Sequence, residues 1–563
     1  MKRIYRLIRG FITAPIMLTL LVSCNDKKNN DANFNLTPPK VETTDGELIT
    51  LSCGNFYPIK LNEINEEYAK KLCMALGKDY SEEVLNNVRF GENIFGVGLA
   101  SVVYFGKYLN KLSDEEWEIL INIAENPQDY EGVLSGEGSS ENQLLSTHAS
   151  QASRIPDAAY FDAMIDEVAN DLQNQKKMSR SEAYDYIYSA ELKIKTPYST
   201  EIQTIVDEVY SDASSFTDNA EAGFPQSACA IIDNNGGVVA IAGGNNGNTA
   251  YNRAYRIPKK IGSAIKPLAV YTPAIESNLI NFSSHVDDEP FEIQQGENTV
   301  QWPSNYDGKY EGTVTVTYAL RQSKNTVAVR LTKNLVANNC LDFIQNRFHF
   351  STLTEEDSSD SAMAMGYLSR GVSLTELAAA YSVFGNNGVY NSPYFYTEVL
   401  DGNGNVVLTN NICSEQAIDS QDAWIMNRLL MYNVSQDDGI ANAAQLDNGV
   451  EVIGKTGTVD NENGEDTDKI FAGVTPDYSA VVWVGYDAEN AAISNKNYKS
   501  PTEIWKKIME QLPLEKTQFS ADESVIMAEY CTVSGGLAES GCPEKEIGYY
   551  KADSMPDKCD AIH

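Results

Sequence analysis

The stretch Ile261-Gly-Ser-Ala-Ile-Lys-Pro267 decides how the rest of the chain is interpreted. Ser263 and Lys266 are three positions apart, so on a helix their side chains project from the same face. A serine hydroxyl becomes a good nucleophile when a neighbouring group takes its proton, and a lysine that is buried or close to another cation loses its charge and can do so. Pro267 lacks an N–H group and fits the first turn of a helix. Taken alone, the pair is better explained as two exposed residues of a helix.

Two further motifs follow this stretch. Ser323-Lys-Asn325 stands 60 residues after Ser263, and Lys455-Thr-Gly457 stands 132 residues after Ser323. The Ser-x-Asn pattern carries little information by itself, since Ser140-Glu-Asn142 also fits it. The three motifs in this order resemble the signature of the penicillin-binding proteins and the class A β-lactamases.

The phrases around the motifs resemble those of class A penicillin-binding proteins rather than β-lactamases. The resemblance is continuous over residues 226–512. It implies an α/β domain of the penicillin-binding and serine β-lactamase type, with an antiparallel sheet, helices on both faces and an all-α subdomain. The residue pattern agrees, because Ala228–Asp233 and Val238–Ala242 read as a hairpin. The phrases are Tyr251-Asn-Arg-Ala254, Trp302-Pro-Ser-Asn-Tyr306, Gly312-Thr-Val-Thr315, Gly371-Val-Ser-Leu-Thr-Glu-Leu-Ala378 and Phe471-Ala-Gly-Val-Thr-Pro476.

The resemblance implies catalytic roles for the first two motifs. Ser263 attacks the carbonyl of a D-Ala–D-Ala stem peptide or of a β-lactam, and Lys266 is the base. Ser323 relays the proton to the leaving amine. Asn325 holds the donor peptide and anchors Lys266, whereas Lys324 is expected to face away from the substrate.

The third motif is expected to bind substrate from an edge strand that lines the cleft. Lys455 presents a cation to the terminal carboxylate, and the hydroxyls of Thr456 and Thr458 lie beside it. Gly457 removes a side chain so that the substrate can lie against the strand. The backbone amides of Ser263 and Thr458 form the oxyanion hole.

Composition narrows the remaining function classes. A formal net charge of −36 makes nucleic-acid binding unfavourable. The chain has four histidines and no Cys-x-x-Cys, which argues against a metal centre, a His-based triad or any other cofactor. Eight cysteines remain after Cys24, too few for a disulfide scaffold. Cys531 and Cys542 bracket a Ser-Gly-Gly loop and are the best candidates for one bridge.

The N-terminus reads as a secretory signal over residues 1–23. Basic residues precede an apolar run from Phe11 to Val22, which is shorter than the about 20 residues of a bilayer span. The run ends in Leu21-Val-Ser-Cys24, which resembles a bacterial lipobox, so Cys24 is the predicted site of lipid attachment; a short transmembrane helix is the alternative. Residues 24–48 then form a flexible tether that holds the protein outside the cytoplasm on a bacterial membrane.

Residues 49–145 are predicted to be a small helical domain. Glu67–Leu76 has helical character, and Ser113 provides a capping signal before an apolar periodicity. The phrases Ile94-Phe-Gly-Val97 and Glu125-Asn-Pro-Gln-Asp-Tyr130 resemble the distal half of the family 51 glycosyltransferase domain. The Glu-Asp-x-x-Phe-x-x-His-x-Gly motif of that family is absent, so the domain is interpreted as a degenerate remnant without polymerase activity. The alternative is an altered chemistry at Glu66 or Glu67.

Residues 146–225 are predicted to connect the two domains, and residues 513–563 form a C-terminal tail of unassigned role. Asp157–Lys176 reads as an amphipathic helix and Leu192–Thr196 as a strand. The apolar stripe of that helix is interpreted as core; its members are Phe161, Met164, Val168 and Leu172.

The resemblance as a whole predicts a serine D,D-transpeptidase that binds penicillin and cross-links peptidoglycan stem peptides. Its partners are stem peptides, β-lactams, the membrane and possible other cell-wall synthesis proteins. Two alternatives stay open from the sequence. The first is a D,D-carboxypeptidase or β-lactam-hydrolysing enzyme of the same fold. The second is a non-catalytic protein that binds the cell wall or senses β-lactams.

Overall fold

A computed structural model describes most of the chain from residue 39 onward. The described residues are 39–51, 59, 61, 64–91, 94–105, 109–126, 158–218, 225–245, 252–296, 298–488, 490–493 and 498–560. The predicted signal, Cys24 and most of the tether lie outside them. No helix of the described residues has the length and apolar character that crossing a membrane requires.

Helices and strands are numbered in chain order within the described residues. The helices are α1 (Glu66–Ala75), α2 (Glu82–Asn87), α3 (Val97–Phe105), α4 (Asp114–Glu125), α5 (Ala158–Lys176), α6 (Arg180–Ser189), α7 (Thr200–Ser211), α8 (Thr272–Glu276), α9 (Val316–Arg321), α10 (Asn325–Leu335), α11 (Ala337–Phe348), α12 (Asp360–Met365), α13 (Leu374–Ser382), α14 (Ser420–Ser435) and α15 (Pro501–Met509). The strands are β1 (Lys40–Glu42), β2 (Leu48–Thr50), β3 (Arg89–Gly91), β4 (Ile94–Phe95), β5 (Lys193–Lys195), β6 (Gln226–Asp233), β7 (Val238–Ala242), β8 (His285–Asp288), β9 (Phe291–Gln295), β10 (Asn298–Trp302), β11 (Gly312–Thr315), β12 (Val389–Asn391), β13 (Glu398–Leu400), β14 (Val406–Thr409), β15 (Ser414–Gln416), β16 (Ile453–Asp460), β17 (Asp466–Val474), β18 (Tyr478–Gly485), β19 (Ile526–Cys531) and β20 (Lys545–Tyr550).

A five-stranded antiparallel sheet forms the centre of the larger domain. Its order is β16-β17-β18-β6-β7, so the strand that carries the third motif is at the edge, as predicted. Side chains alternate between two cores along β6: Ala228 and Ala230 pack into one, and Cys229 into the other. This two-residue period requires helices on both faces, because both sets of apolar side chains must be buried. Helix α13 covers one face, and α7 and α15 cover the other.

The predicted connector is part of this domain rather than a link beside it. Strands β14-β13-β5-β1-β2 form a second sheet, in which β1 pairs in parallel with β5. The predicted core stripe of α5 is confirmed, since its four apolar members are at most 1% exposed. Arg256 reaches α5 and binds Asp162 at 2.9 Å and Asp166 at 3.5 Å.

The predicted flexible tether extends too far. Residues Lys40–Glu42 and Leu48–Thr50 pair as strands, and Val41 is fully buried in the large core. The polar composition up to residue 48 hid these short strands, because one buried side chain in a three-residue strand leaves no detectable alternation.

Helices α1 to α4 enclose a separate apolar cluster that includes Leu72, Leu85, Trp117 and Leu120. The predicted capping box at Ser113 is confirmed, because its side chain accepts from the Glu116 N–H while the Glu116 carboxylate accepts from the Ser113 N–H. The helical character predicted from residue 67 is confirmed by α1. The predicted domain boundaries stay predictions, although Leu51 packs into the core of the larger domain.

Candidate active site

The three motifs meet at one cleft of about 1030 Å³, although 60 and 132 residues of sequence separate successive motifs. Ser263, Ser323 and residues of the edge strand β16 all line it, as do Trp302 and Tyr306. The motif residues that line the cleft are Ser263, Ser323, Asn325, Thr456, Gly457 and Thr458. Lys266 and Lys455 lie behind this lining, and both are fully buried.

The segment that carries Ser263 is helical but is not a regular α-helix. Gly262–Ile265 forms a 3-10 turn, Pro267–Tyr271 forms a π-helical turn, and α8 follows directly. Pro267 occupies the first position of its turn, as predicted. The hydroxyl of Tyr381 donates to the Ala264 carbonyl at 2.6 Å and holds the turn from the side of α13. Such local irregularity is frequent where a helix carries a functional group.

Lys266 is fully buried and hydrogen-bonded to the second motif. Its Nζ donates to the Ser323 carbonyl at 2.7 Å, to Asn325 Oδ1 at 2.7 Å and to Ser323 Oγ at 3.3 Å. Burial, and then the charge of Lys455, holds the pKa of Lys266 well below its ordinary value of 10.5. The anchoring of Lys266 by Asn325 is therefore present. Among the described residues, Lys266 makes no hydrogen bond to the Ser263 hydroxyl.

Lys455 approaches the same serine from the sheet. Its Nζ donates to Ser323 Oγ at 2.9 Å and to the Thr456 carbonyl at 3.0 Å. Burial lowers the pKa of Lys455 to about 7. Ser323 Oγ thus lies between two buried lysines, which gives it a direct hydrogen bond to each.

The second motif is held by a buried polar network on the side away from the cleft. Ser323 has a positive φ of 56°, which a non-glycine residue adopts only when its surroundings enforce it. Lys324 faces away from the cleft, as predicted, and binds Asp288 at 3.3 Å and Asp307 at 3.2 Å. Burial acts to lower the pKa of Lys324, but these carboxylates raise it. Asn305 accepts from the Asn325 N–H at 2.8 Å and donates to Asp288 at 2.6 Å.

Gly457 was predicted to lack a side chain so that the substrate could lie against the strand, and this reason is wrong. A Cβ at this residue would lie 1.9 Å from the Ile261 carbonyl oxygen, so the missing side chain makes room for the nucleophile segment and not for the substrate. Gly262, with φ +51°, completes the contact, because its Cβ would lie 2.2 Å from the Thr458 carbonyl oxygen and 2.8 Å from the Thr458 nitrogen. Gly366 approaches from the other side, where a Cβ would lie 2.1 Å from the Gly262 carbonyl oxygen. The turn and the edge strand therefore touch backbone to backbone.

Several residues of the site were not identified from the sequence. Asp288 and Asn305 carry the second motif, and Tyr367 lines the cleft with its hydroxyl bound to Asp460. The only sequence feature that pointed to Asn305 is its position in the phrase Trp302-Pro-Ser-Asn-Tyr306, which resembles the family. Asp288 is one acidic residue among 79, so nothing in the sequence marked it.

Comparison with known proteins identifies the family. Residues 227–510 match the family model of the penicillin binding protein transpeptidase domain, and residues 69–148 match the transglycosylase model. The chain is also 31% identical over 506 residues to penicillin-binding protein 1A of Clostridium acetobutylicum. The chain belongs to the class A penicillin-binding proteins. As a member, this class A penicillin-binding protein has the predicted fold: a helical transglycosylase-like region and a transpeptidase domain.

The match to each relative covers most of this penicillin-binding protein but less of the relative. With the C. acetobutylicum protein it covers 81% of this chain and 61% of that one. Penicillin-binding protein 1F of Bacillus subtilis is 28% identical over 477 residues, with coverages of 78% and 63%. The chain therefore spans about three fifths of the length of these relatives.

Two solved structures share the fold. Penicillin-binding protein 1A from Haemophilus influenzae superimposes with a TM-score of 0.59 at 18% identity, covering 93% of this chain and 99% of that one. The PonA1 protein from Mycobacterium tuberculosis, solved in complex with penicillin V, gives a TM-score of 0.53 at 22% identity, covering 64% and 95%. At these identities the likeness establishes the fold alone.

Proposed function

We propose that this protein is a serine D,D-transpeptidase that binds penicillin and forms an acyl-enzyme on Ser263. The observation that carries the proposal is the buried Lys266, whose Nζ is held by Asn325 and Ser323 directly behind the nucleophile turn. Burial and the charge of Lys455 lower the pKa of Lys266, which favours the uncharged amine that can accept a proton. The ligand is a D-Ala–D-Ala stem peptide or a β-lactam.

In the acylation step, the Ser263 oxygen bonds to the carbonyl carbon and its proton passes to Lys266. The backbone N–H groups of Ser263 and Thr458 stabilise the oxyanion, typically by about 3 kcal/mol per donor. The close approach of Gly262 to the Thr458 nitrogen supports this pairing. Ser323, within 3.3 Å of Lys266 Nζ, delivers the proton to the leaving D-Ala amine as the amide bond breaks.

Substrate orientation is assigned to the third motif. Lys455 is protonated when the terminal carboxylate binds, because an opposite charge in a buried site favours the cationic form. Thr456 and Thr458 are half-buried in the lining and supply hydroxyl donors beside it. Asn325 Nδ2 donates to the Ser304 carbonyl at 2.8 Å, so only part of the Asn325 amide group is available to bind the donor peptide.

Labelling with a fluorescent penicillin tests the acyl-enzyme. We expect the wild type to retain covalent label after denaturation, and Ser263→Ala to retain none. Ser361→Ala is the matched control, because Ser361 lines the same cleft and belongs to none of the motifs. Absence of label on the wild type, with thermal unfolding showing a folded protein, would favour the non-catalytic wall-binding or sensing alternative.

The fate of the acyl-enzyme separates transpeptidation from hydrolysis. We expect an amine acceptor added with a pentapeptide donor to yield the cross-linked product, measured by mass spectrometry. Release of free tetrapeptide without cross-linked product would support the carboxypeptidase alternative. Turnover of penicillin itself would support β-lactam hydrolysis.

We further propose that the helical region lacks glycan polymerase activity. The transglycosylase match begins at residue 69, and the acidic motif on which that family relies is absent from the sequence. Glu66, one of the alternatives, is exposed and pairs with Lys70 at 2.6 Å, which lowers the pKa of its carboxyl and disfavours a general acid. Incubation with lipid II is expected to give no polymer, and polymer formation would contradict this assignment.

The proposed location is the outer face of a bacterial membrane, through a lipid on Cys24 after removal of residues 1–23. Metabolic labelling with a clickable fatty acid is expected to mark the wild type and not Cys24→Ala; labelling of both would contradict the anchor.

A further inference from the structure

The C-terminal tail brings three cysteines together that are far apart in sequence. The sulfur atoms of Cys531, Cys542 and Cys559 all lie within 4.8 Å of one another, and no two of them are bonded. Cys531 is fully buried and Cys542 is 9% exposed. The sequence predicts a bridge between Cys531 and Cys542, which bracket a Ser-Gly-Gly loop, and argues against a metal centre.

Backbone hydrogen bonds fix this arrangement. Cys531 N–H donates to the Gly536 carbonyl, and Cys559 N–H donates to the Leu537 carbonyl, both at 2.8 Å. Gly536 has room only for hydrogen, since a Cβ there would lie 2.9 Å from the Asp557 carbonyl oxygen and 3.0 Å from the Cys559 nitrogen. The loop after Cys531 and the segment ending at Cys559 are therefore held against each other.

A backbone donor also contacts the cluster, since the Glu539 N–H donates to Cys542 Sγ at 3.3 Å. Zinc binds cysteine as the thiolate, so each of the three sulfurs is a suitable ligand atom. A disulfide would join only two of these cysteines, whereas one metal ion can bind all three.

We propose that the thiolates of Cys531, Cys542 and Cys559 bind one zinc ion that cross-links the C-terminal tail to itself and stiffens it. Tetrahedral zinc with Zn–S bonds of about 2.3 Å places its sulfurs about 3.8 Å apart, inside the spacing found here. Each thiol releases its proton on binding. The three cysteines supply three of the four ligands of a tetrahedral zinc ion.

The tail that zinc would secure contacts the domain next to the nucleophile helix. Lys551 Nζ donates to the Ile275 carbonyl of α8 at 2.9 Å, and Ser283 Oγ donates to the Gly535 carbonyl at 2.6 Å. Tyr530 and Tyr550 pack edge-on against Phe282. The ion is thus structural, and its loss is expected to loosen the tail rather than to abolish acylation.

Metal analysis of the full chain, purified with a histidine-free tag, tests the proposal. We expect about one zinc per chain in the wild type and less than about one fifth of that in Cys559→Ser. Cys340→Ala is the matched control, because Cys340 is buried in α11 far from the cluster in sequence, and it is expected to keep the full zinc content. A wild type without zinc, or a Cys559→Ser variant that keeps it, would overturn the proposal.

A second measurement remains decisive if the variants fold poorly. Cobalt(II) added to the metal-free wild type is expected to produce the near-ultraviolet thiolate-to-metal charge-transfer absorption of a sulfur-bound ion. Peptide mapping without reductant should recover Cys531 and Cys542 as separate peptides. A disulfide-linked pair together with no cobalt absorption would refute zinc binding and establish the bridge instead.

Discussion

Ser323 is the side chain on which the chemistry of the cleft converges. Its hydroxyl accepts from Lys455 at 2.9 Å and from Lys266 at 3.3 Å, while its own backbone is held at a positive φ. Keeping two ammonium groups charged so close together in a buried site costs free energy, which favours the loss of a proton from one of them. In the proposed mechanism one lysine therefore serves as the base, and the other gains its proton when an anionic ligand binds.

At the same scale, Lys455→Met is expected to make stability less dependent on pH. The pKa of Lys455 is about 7 in the folded protein and 10.5 ordinarily, so between these values the unfolded chain binds more protons. The free energy of unfolding of the wild type therefore rises with pH across this window. Below pH 7 the folded protein carries the buried charge, so the full destabilisation caused by its burial is present. Methionine removes this titration, so the variant should gain melting temperature, more at pH 6 than at pH 9.

Thermal unfolding of both proteins at the two pH values measures this effect. Lys516→Met is the control, because 61% of the Lys516 side chain is exposed and its removal should leave the pH profile unchanged. A Lys455→Met variant that is less stable than the wild type at pH 6 would show that the lysine is stabilising.

Gly457→Ala provides a geometric prediction at the residue scale. The new methyl would lie 1.9 Å from the Ile261 carbonyl oxygen and 2.7 Å from the Ile470 side chain, so the edge strand must move away from Ser263. We expect penicillin acylation to slow by about 100-fold, since a displacement of about 1 Å has effects of this size. Gly541→Ala is the control, because a Cβ there meets nothing within 4 Å. Normal acylation by Gly457→Ala would contradict the close contact.

At the scale of elements, strand β8 supports the second motif from behind. Asp288 is fully buried and binds Lys324, Asn305 and the hydroxyl of Thr326, whereas its neighbour Asp287 points outward and is exposed. The strand period of two thus separates a structural carboxylate from a solvent-exposed one.

Asp288→Asn is expected to destabilise the domain by about 3 kcal/mol, because it leaves a buried lysine with a weaker partner. Acylation should slow by at least about tenfold, since the turn at Ser323 loses its support. Asp287→Asn is the matched control on the same strand and should change neither quantity. Equal effects of the two substitutions, measured by denaturant unfolding and labelling, would refute this role for Asp288.

The elements were predictable from the sequence to different degrees. Helix α5 is predictable because its apolar residues follow the helical period, and the hairpin β6–β7 because a turn signal separates two apolar runs. The edge position of β16 is predicted by the family resemblance alone. The short strands β1 and β2 are not predictable because one buried side chain in a three-residue strand leaves no alternation, and the pairing of β1 with β5 joins residues about 150 positions apart. The π-helical turn after Lys266 was equally invisible, since it results from the packing of the nucleophile segment rather than from its composition.

At the scale of the whole molecule, the C-terminal tail is part of the transpeptidase core. The family match ends at residue 510, yet Tyr530 and Tyr550 are fully buried in the same apolar cluster as Ala264 and Leu268. The sequence indicates the tail as a separate segment but not its docking site, because the contacts of Tyr530 and Tyr550 with Phe282 join residues more than 200 positions apart.

Lys551→Met tests this docking. Lys551 binds Asp422 at 2.9 Å, and the Asp422 side chain is only 3% exposed, so the substitution leaves a buried carboxylate unpaired. We expect a loss of about 3 kcal/mol and a melting temperature lower by several degrees. Lys558→Met is the control, since 78% of the Lys558 side chain is exposed. Equal melting temperatures for the two variants would show that the tail is not anchored through Lys551.

The contact of Gly262, Gly366 and Gly457 makes this part of the cleft intolerant of larger side chains. None of the three can acquire a side chain without pushing the turn that carries Ser263 away from the edge strand. Tyr306 lines the same cleft and is 78% exposed, so a substitution there leaves this contact intact. If the proposed acylation holds, we expect changes at the three glycines to impair natural peptide and antibiotic together, whereas a change at Tyr306 can separate the two.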